Sequence, residues 1–350
     1  MKILSIVKRI LHSIKIEFFH RLYFLVYPLC PKVNLVYPCD YDGVGGPTTF
    51  MKLFDRSLTG KHSRNSIWCR PKKLFFPIQY DISLIQFWKK KGVQIYQRLD
   101  GVYYPSHFSE AEVSLNEPIK EIYQSLTDVI IFQSKYSKAQ CKEVLGDSTA
   151  SAHIIYNGVN KDIFYPNPER VRGDFFELVM SGNFREIDMV EPLVQMMKLL
   201  DASDLSFVLN IIGPVAEKYQ EMFKIKNVRL LGVMGAEQIV DYLRKSDIFV
   251  YSFLNPNCPN SVVEAIGVGL PVVGFDSGSM AELCSFQKEL LIPVSDKVIQ
   301  EYHELSSDKL AERVMDCALA YERYRSAALD NAYRFDIRDT MMEYRKVIGI

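Results

Sequence analysis

Residues 255–283 read NPNCPNSVVEAIGVGLPVVGFDSGSMAEL. A polar, proline-punctuated loop gives way at Ser261 to a helix-period segment, then to the apolar, β-rich run Pro271–Phe275, then to the turn DSGS. The β-rich run Ile248–Ser252 lies just upstream, so this piece of chain reads strand, loop, helix, strand. Ser261 is a good helix N-cap, and Glu264, three residues on, has the spacing of a capping-box partner. Helix N-termini attract anions, which makes the amides near Ser261, Val262 and Val263 candidates to cradle a phosphate or pyrophosphate.

The same alternation extends in both directions. Glu177–Ser181, Phe207–Ile212 and Val228–Leu231 are β-rich runs separated by helix-period segments, and Val33–Tyr37, Val93–Arg98, Asp128–Phe132 and His153–Tyr156 repeat the pattern in the first half. Strands alternating with helices imply α/β architecture with doubly wound parallel sheets. The segment NGVNKDIFYPNPERVRGD (157–174) lacks periodicity and is rich in Asn, Pro and Gly, as an inter-domain linker is. At about 150 residues per domain, 350 residues make two. The expected division is an N-terminal amphipathic helix (1–32), a first Rossmann-like domain (33–164), a second (165–332), and a closing helix (333–350). Open α/β sheets bind ligands beyond the carboxyl ends of their strands, so the active cleft is expected between the two domains.

Composition narrows the classes. With 48% hydrophobic and 24% charged residues the chain has the apolar content for large cores, and it is not a disordered sequence. Seven scattered cysteines without a CxxC pair argue against a disulfide framework or zinc site and fit a reducing, cytoplasmic setting. The six histidines are dispersed and form no HxH or HExxH pattern, so no metal is expected. Nor are the basic residues interleaved with aromatics as in a nucleic-acid module.

The net charge of zero conceals a polarity. Residues 1–164 carry 22 Lys+Arg against 14 Asp+Glu, and residues 165–350 carry 20 against 28. Six of the basic residues and a single acid, Glu17, fall in the first 33 positions. There Ile3, Val7, Ile10, Ile14 and Phe18 recur at helical spacing among Lys8, Arg9, Lys15 and Arg21, which describes a basic amphipathic helix. Its charges interrupt any apolar run long enough to span a bilayer or serve as a signal peptide. Two readings stay open: a helix lying in the headgroup region of an anionic membrane, or one packed on the domain with its charged face in water.

The segment 255–283 resembles the donor-nucleotide signature of family-4 retaining glycosyltransferases of the GT-B fold, in which a Glu-x7-Glu pair precedes Gly-x-Pro-Val-Val and a glycine-rich turn ending in Glu. Glu264 matches the second glutamate, GLPVVGF (269–275) the apolar strand and DSGSMAEL (276–283) the turn. Further elements follow in the family's order: the Gly45-Gly46 loop, IIFQSKYSK (130–138), YNGVNKDIFYP (156–166), LVMSGNF (178–184), LNIIGP (209–214), VRLLGVM (228–234) and RFDIRDTMMEYRKVI (334–348).

The resemblance implies that Glu264 accepts hydrogen bonds from the donor's ribose and that amides after Asn260 hold the diphosphate. A UDP- or GDP-sugar would then be substrate, with no other cofactor. The family's first glutamate is replaced by Pro256, which leaves Asn257, Asn260 and backbone amides to meet the sugar. The Arg and Lys that the family places after Gly182 are here Asn183 and Asp188. Arg185, the one cation in GNFREID, is assigned to the phosphate charge, the alternative being a solvent-exposed loop arginine. Gly45 and Gly46 permit close approach of a ligand. Arg98 and Asp100, just past a strand, either position an acceptor hydroxyl or form a structural pair.

The function expected from the resemblance is metal-independent transfer of a sugar, with retention, to a saccharide or lipid-linked saccharide in glycan synthesis. The location would be cytoplasmic or peripheral on a membrane. A sugar-nucleotide epimerase of the same fold and a catalytically inert GT-B subunit are the alternatives.

Overall fold

The computed structural model describes residues 17–42, 46–60, 62–295 and 305–350. The first domain holds β1 (Lys32–Tyr37), β2 (His62–Arg64), β3 (Arg70–Pro77), β4 (Gln94–Leu99), β5 (Val129–Phe132) and β6 (Ser151–Ile154) in one sheet of order β2-β1-β3-β4-β5-β6. The second holds β7 (Phe176–Ser181), β8 (Phe207–Ile212), β9 (Val228–Gly232), β10 (Ile248–Tyr251), β11 (Val272–Asp276) and β12 (Leu291–Pro293), in the order β12-β11-β10-β7-β8-β9. Every pairing in both sheets is parallel. This is the doubly wound pair that the alternation implies.

Helices cover the sheets. In the first domain they are α1 (17–26), α2 (Gly46–Ser57), α3 (Ile82–Lys90), α4 (Glu110–Val113), α5 (Asn116–Glu121) and α6 (Lys135–Leu145). The second carries α7 (Glu191–Leu200), α8 (Glu217–Gln220), α9 (Ala236–Lys245), α10 (Asn260–Gly267), α11 (Met280–Leu283), α12 (Ser307–Leu319) and α13 (Tyr321–Asn331). The last helix, α14 (Ile337–Ile348), packs on the first domain, where Tyr344 lies against Phe50 and Phe75.

Burial explains why some strands read clearly and others did not. β8 and β10 are buried along their whole length, so both faces are apolar and the sequence shows an unbroken hydrophobic run. β3, β2 and β12 were not anticipated. β3 begins Arg-Pro-Lys-Lys, which reads as a loop, yet Leu74, Phe75 and Phe76 are fully buried at the middle of the sheet. Lys73 escapes burial of its charge by donating to the carbonyls of Ile348 (2.5 Å) and Gly349 (2.8 Å) at the end of α14, where a cation meets the negative end of the helix dipole.

Topology places the site. In the second sheet the chain runs β7, β8, β9 in one direction, then returns to lay β10 on the other side of β7. Loops after β7 and β10 therefore diverge, and the crevice between them is where such sheets bind ligands. In the first sheet the corresponding switch falls between β1 and β3.

α1 presents two different faces. Tyr23 is fully buried, its hydroxyl donating to the Cys69 carbonyl (2.6 Å) and accepting from the Trp88 indole (2.7 Å), while Phe24 stacks on Phe87 at 4.0 Å. On the other side Phe18, Leu22, Leu25 and the following Leu29 are exposed, Leu25 by 79% and Leu29 by 86%. The upstream residues Ile3, Val7, Ile10 and Ile14, and the basic residues among them, lie outside the described residues. Among the described residues no helix is long and apolar enough to cross a membrane.

Candidate functional site

The loop after β10 is held rigidly by the turn after β11. Asn255 N–H donates to the Ser277 hydroxyl (2.8 Å) and Ser279 N–H to the Pro256 carbonyl (2.8 Å). Gly278 sits at φ +60°, and a Cβ there would lie 2.5–2.6 Å from Pro256 backbone and ring atoms. The turn needs glycine both for its dihedral and for this approach.

Beyond the clamp, Pro259 rather than Ser261 occupies the N-cap of α10, with no side-chain cap. The capping-box reading of Ser261 and Glu264 is thus corrected. The helix starts at Asn260, which puts Glu264 at its fifth position, a turn too far along to reach back to the cap. The amides of Val262 and Val263 both bond to the Pro259 carbonyl, at 3.1 and 3.2 Å, and their side chains are in the core. This leaves Asn260 and Ser261 as the open end of the first turn, the part of the helix able to meet an anion.

Glu264 is half-buried and has no hydrogen-bond partner among the described residues. Desolvation without a compensating donor pushes its carboxyl up from 4.5 to about 7. A carboxylate left unpartnered at this place in the fold is suited to take donors from a ligand.

Across the cleft stand Gly46, Arg98 and Asp100. Together with Asn257, Cys258 and Asn260 of the second domain they line a cavity of about 300 Å³. A Cβ built on Gly46 would meet nothing within 4 Å, so its backbone faces open space. Gly45 lies outside the described residues. Gly101, at φ +140°, lies so close to the second domain that a Cβ would be 2.3 Å from the Asn257 amide nitrogen. The other end of that amide, Oδ1, is buried at the same place without a partner among the described residues.

Arg98 is 1% exposed. Its guanidinium pairs with Asp100 and bonds to Asn157 Oδ1 (3.0 Å) and the Tyr344 hydroxyl (3.1 Å), with the Phe50 ring 4.0 Å below. Burial raises the Asp100 carboxyl and the guanidinium opposes that rise. These contacts engage the Arg98 guanidinium with protein partners, as a structural pair would, although Arg98 also lines the cavity. Asp100 lines the cavity.

The loop after β7 corrects a second expectation. Gly182 packs on the Phe253 ring, 2.7 Å from where its Cβ would be, and Asn183 is exposed. Arg185 is also exposed, and its charge is felt by Glu112 of the first domain, whose carboxyl is lowered chiefly by Ser109, with smaller pulls from His107 and Arg185. Arg185 is not among the residues lining the cleft cavity. Its charge is directed across the rim because Phe184, fully buried, anchors the loop on the strand-like contact with Val215 and turns the next residue outward. Asp188 likewise turns to the first domain, 3.7 Å from His107 Nδ1, so it does not confront a phosphate at the switch point.

Several contacts that organise the site had no signal in the sequence. Asn157 Nδ2 donates to the Cys258 carbonyl (2.8 Å) and stands 2.9 Å from Asn260 Oδ1, which links Arg98 to the start of α10. Glu282 accepts from the amides of Lys135 (2.9 Å) and Tyr136 (2.7 Å) at the N-terminus of α6 and from the Tyr156 hydroxyl (2.7 Å). A carboxylate of one domain thus caps a helix of the other. Its position in the family's turn motif was visible, but its partner lay some 147 residues away.

Comparison with known proteins agrees with this geometry. Residues 176–308 match the family model described as Glycosyl transferases group 1. An uncharacterized glycosyltransferase of Methanocaldococcus jannaschii is 30% identical over 162 residues, which is 45% of this chain and 42% of that protein. The match therefore spans less than half the length of that relative. Among solved structures, Anabaena HepE in complex with UDP superposes with a TM-score of 0.69 at 12% identity, over 90% of this chain and 99% of its own. Sucrose-phosphate synthase from Thermosynechococcus elongatus gives 0.67 at 12%, with the same coverage of each chain. A glycosyltransferase of Rickettsia africae gives 0.62 at 14%, over 91% and 98%. Residues 176–308 thus match the glycosyl transferases group 1 family model, within a chain that has the two-domain GT-B fold.

Proposed function

We propose that the chain transfers a sugar from a nucleotide-sugar donor, seated on the second domain, to a saccharide hydroxyl presented by the first. The observation that carries this reading is the cavity where the open first turn of α10 and Asn257 face Gly46 and Asp100, at the switch point of the group 1 domain. Neighbours of the same fold have been seen with UDP, and with UDP and glucose. The diphosphate lies at the N-terminus of α10, Glu264 takes the ribose hydroxyls, and Asn257 and Asn260 meet the sugar.

The transfer proceeds with retention. The bond from anomeric carbon to diphosphate breaks, the acceptor oxygen bonds to the same face, and its proton passes to the departing phosphate oxygen. No protein nucleophile and no metal ion is given a step. Charge on the leaving group is met by the helix dipole and amides, with Arg185 available only if the rim loop moves. Thermal unfolding with a panel of UDP-, GDP- and ADP-sugars tests the assignment: one class of donor should raise the Tm by several degrees. No shift with any of them would favour the inert GT-B subunit, a reading that the substitutions at Asn183, Asp188 and Pro256 otherwise support.

The acceptor is a lipid-linked saccharide presented at an anionic membrane, in glycan synthesis. The exposed stripe Phe18, Leu22, Leu25 and Leu29 continues the register of the apolar positions in residues 3–14. Lys90 and Lys91 are exposed at the end of α3, with Lys91 over the Phe87 ring that stacks on Phe24 of α1. Apolar burial of the stripe and attraction of basic residues to anionic headgroups are the two forces that hold such a helix at a membrane. Co-sedimentation with vesicles containing phosphatidylglycerol should fall at least tenfold in a Leu25→Glu, Leu29→Glu double variant. Equal binding by the variant, or none by the natural chain, would reject the membrane.

A further inference from the structure

A second cavity, of about 500 Å³, opens between α6 of the first domain and the carboxyl ends of β11 and β12 of the second. It shares no lining residue with the cleft cavity described above. Its walls include Tyr136 and Gln140 from α6, and Asp276, Ser277 and Pro293 from the second domain. Gln140 is 1% exposed. Its Nε2 donates to the Tyr136 hydroxyl at 3.1 Å, but Oε1 is buried without a partner among the described residues. A buried amide oxygen with no donor is unfavourable unless something supplies one. The site is also built rather than incidental: Glu282 fastens the start of α6 to the second domain within one turn of Tyr136 and Gln140.

We propose that this cavity binds a neutral polyhydroxylated ligand, a saccharide unit distinct from the one being transferred. The lining supplies the Gln140 oxygen and the Asp276 carboxylate as acceptors. Hydroxyl groups are the donors that match such a set. The Tyr136 ring and Pro293 offer apolar surface for the C–H face of a sugar ring. A phosphorylated ligand would meet two carboxylates and no lysine or arginine among these lining residues. A divalent ion finds no group of three His, Cys, Asp or Glu among the described residues. The volume falls in the ordinary range for small-molecule sites. That the polyol is a saccharide rests on the glycosyl-transfer reading; the neutral, hydroxyl-rich chemistry rests on the lining alone.

Saturation-transfer NMR on the full chain, with glucose, galactose and N-acetylglucosamine as probes, tests the proposal. At least one should bind with millimolar affinity, and Gln140→Leu and Asp276→Ala should each weaken it fivefold or more. Asp276 is exposed, so its variant keeps the test valid if replacing the buried Gln140 unfolds the chain. Absence of binding by all three probes overturns the proposal. So does binding that both variants retain but Asn257→Ala abolishes, which would place the sugar in the cleft cavity. The UDP-induced thermal shift of the same samples reports on the donor site separately: a shift without sugar binding rejects this subsite alone, and sugar binding without a shift rejects the transferase reading alone.

Discussion

Replacing Arg98 by alanine should lower the stability of the first domain by about 3–5 kcal/mol, the range for removing one partner of a buried ion pair. Three contacts disappear together: the ion pair with Asp100, the bond to Asn157, and the bond to Tyr344 of α14. The guanidinium also leaves the Phe50 ring and a cavity behind it. The larger part of the loss comes from Asp100, whose buried carboxyl then lacks the guanidinium that pairs with it. Asp100→Asn combined with Arg98→Ala should therefore recover part of the stability, since no carboxylate is stranded. Both tryptophans, Trp68 and Trp88, lie in the first domain, so urea unfolding followed by their fluorescence reads this domain. A loss below about 1 kcal/mol would mean that the network is weak, and would return Arg98 to the role of an acceptor-binding side chain.

The contrast between Arg98 and Glu264 shows how far the sequence could be read. Strands β7, β8, β10 and β11 announced themselves because they are buried on both faces, and the order of motifs pointed to the crevice after β7 and β10. Glu264 was legible as a carboxylate on the helix entering that crevice. What stayed hidden depends on contacts between distant residues. Nothing in YQRLDG says that Arg98 is enclosed by the ring of Phe50 and the hydroxyl of Tyr344. Nothing in GNFREID says that Phe184 is the anchor and Arg185 the outward residue. Charge type is a local property, whereas the direction of a side chain is set by whatever packs beneath it. The helix cap failed for a related reason: Ser261 is a fitting cap in isolation, but Pro259, with φ fixed near −69°, caps the helix two residues earlier.

Glu264 should impose a pH dependence on both stability and donor binding. Its carboxyl titrates at about 7 in the folded chain against 4.5 ordinarily. Between those values the folded state holds a proton that the unfolded state has lost, so stability falls as pH rises. The contribution is complete below about 4.5, is lost as pH rises through about 7, and is flat beyond. Its size, taken from the separation of the two values, is at most about 3 kcal/mol. Glu264→Gln cannot ionise and should abolish this slope, leaving the variant more stable than the natural chain above pH 7. Nucleotide binding runs the opposite way. Ribose hydroxyls donate better to a carboxylate than to a neutral acid, so donor affinity in the natural chain should rise as pH passes 7. In Glu264→Gln it should be weaker by tenfold or more at pH 8 and independent of pH. Calorimetric titration with the stabilising UDP- or GDP-sugar at pH 6, 7 and 8 measures this directly. A stability slope that vanishes in the variant while affinity and its pH profile stay unchanged would leave Glu264 a buried acid of the helix and move the ribose contact elsewhere along the crevice.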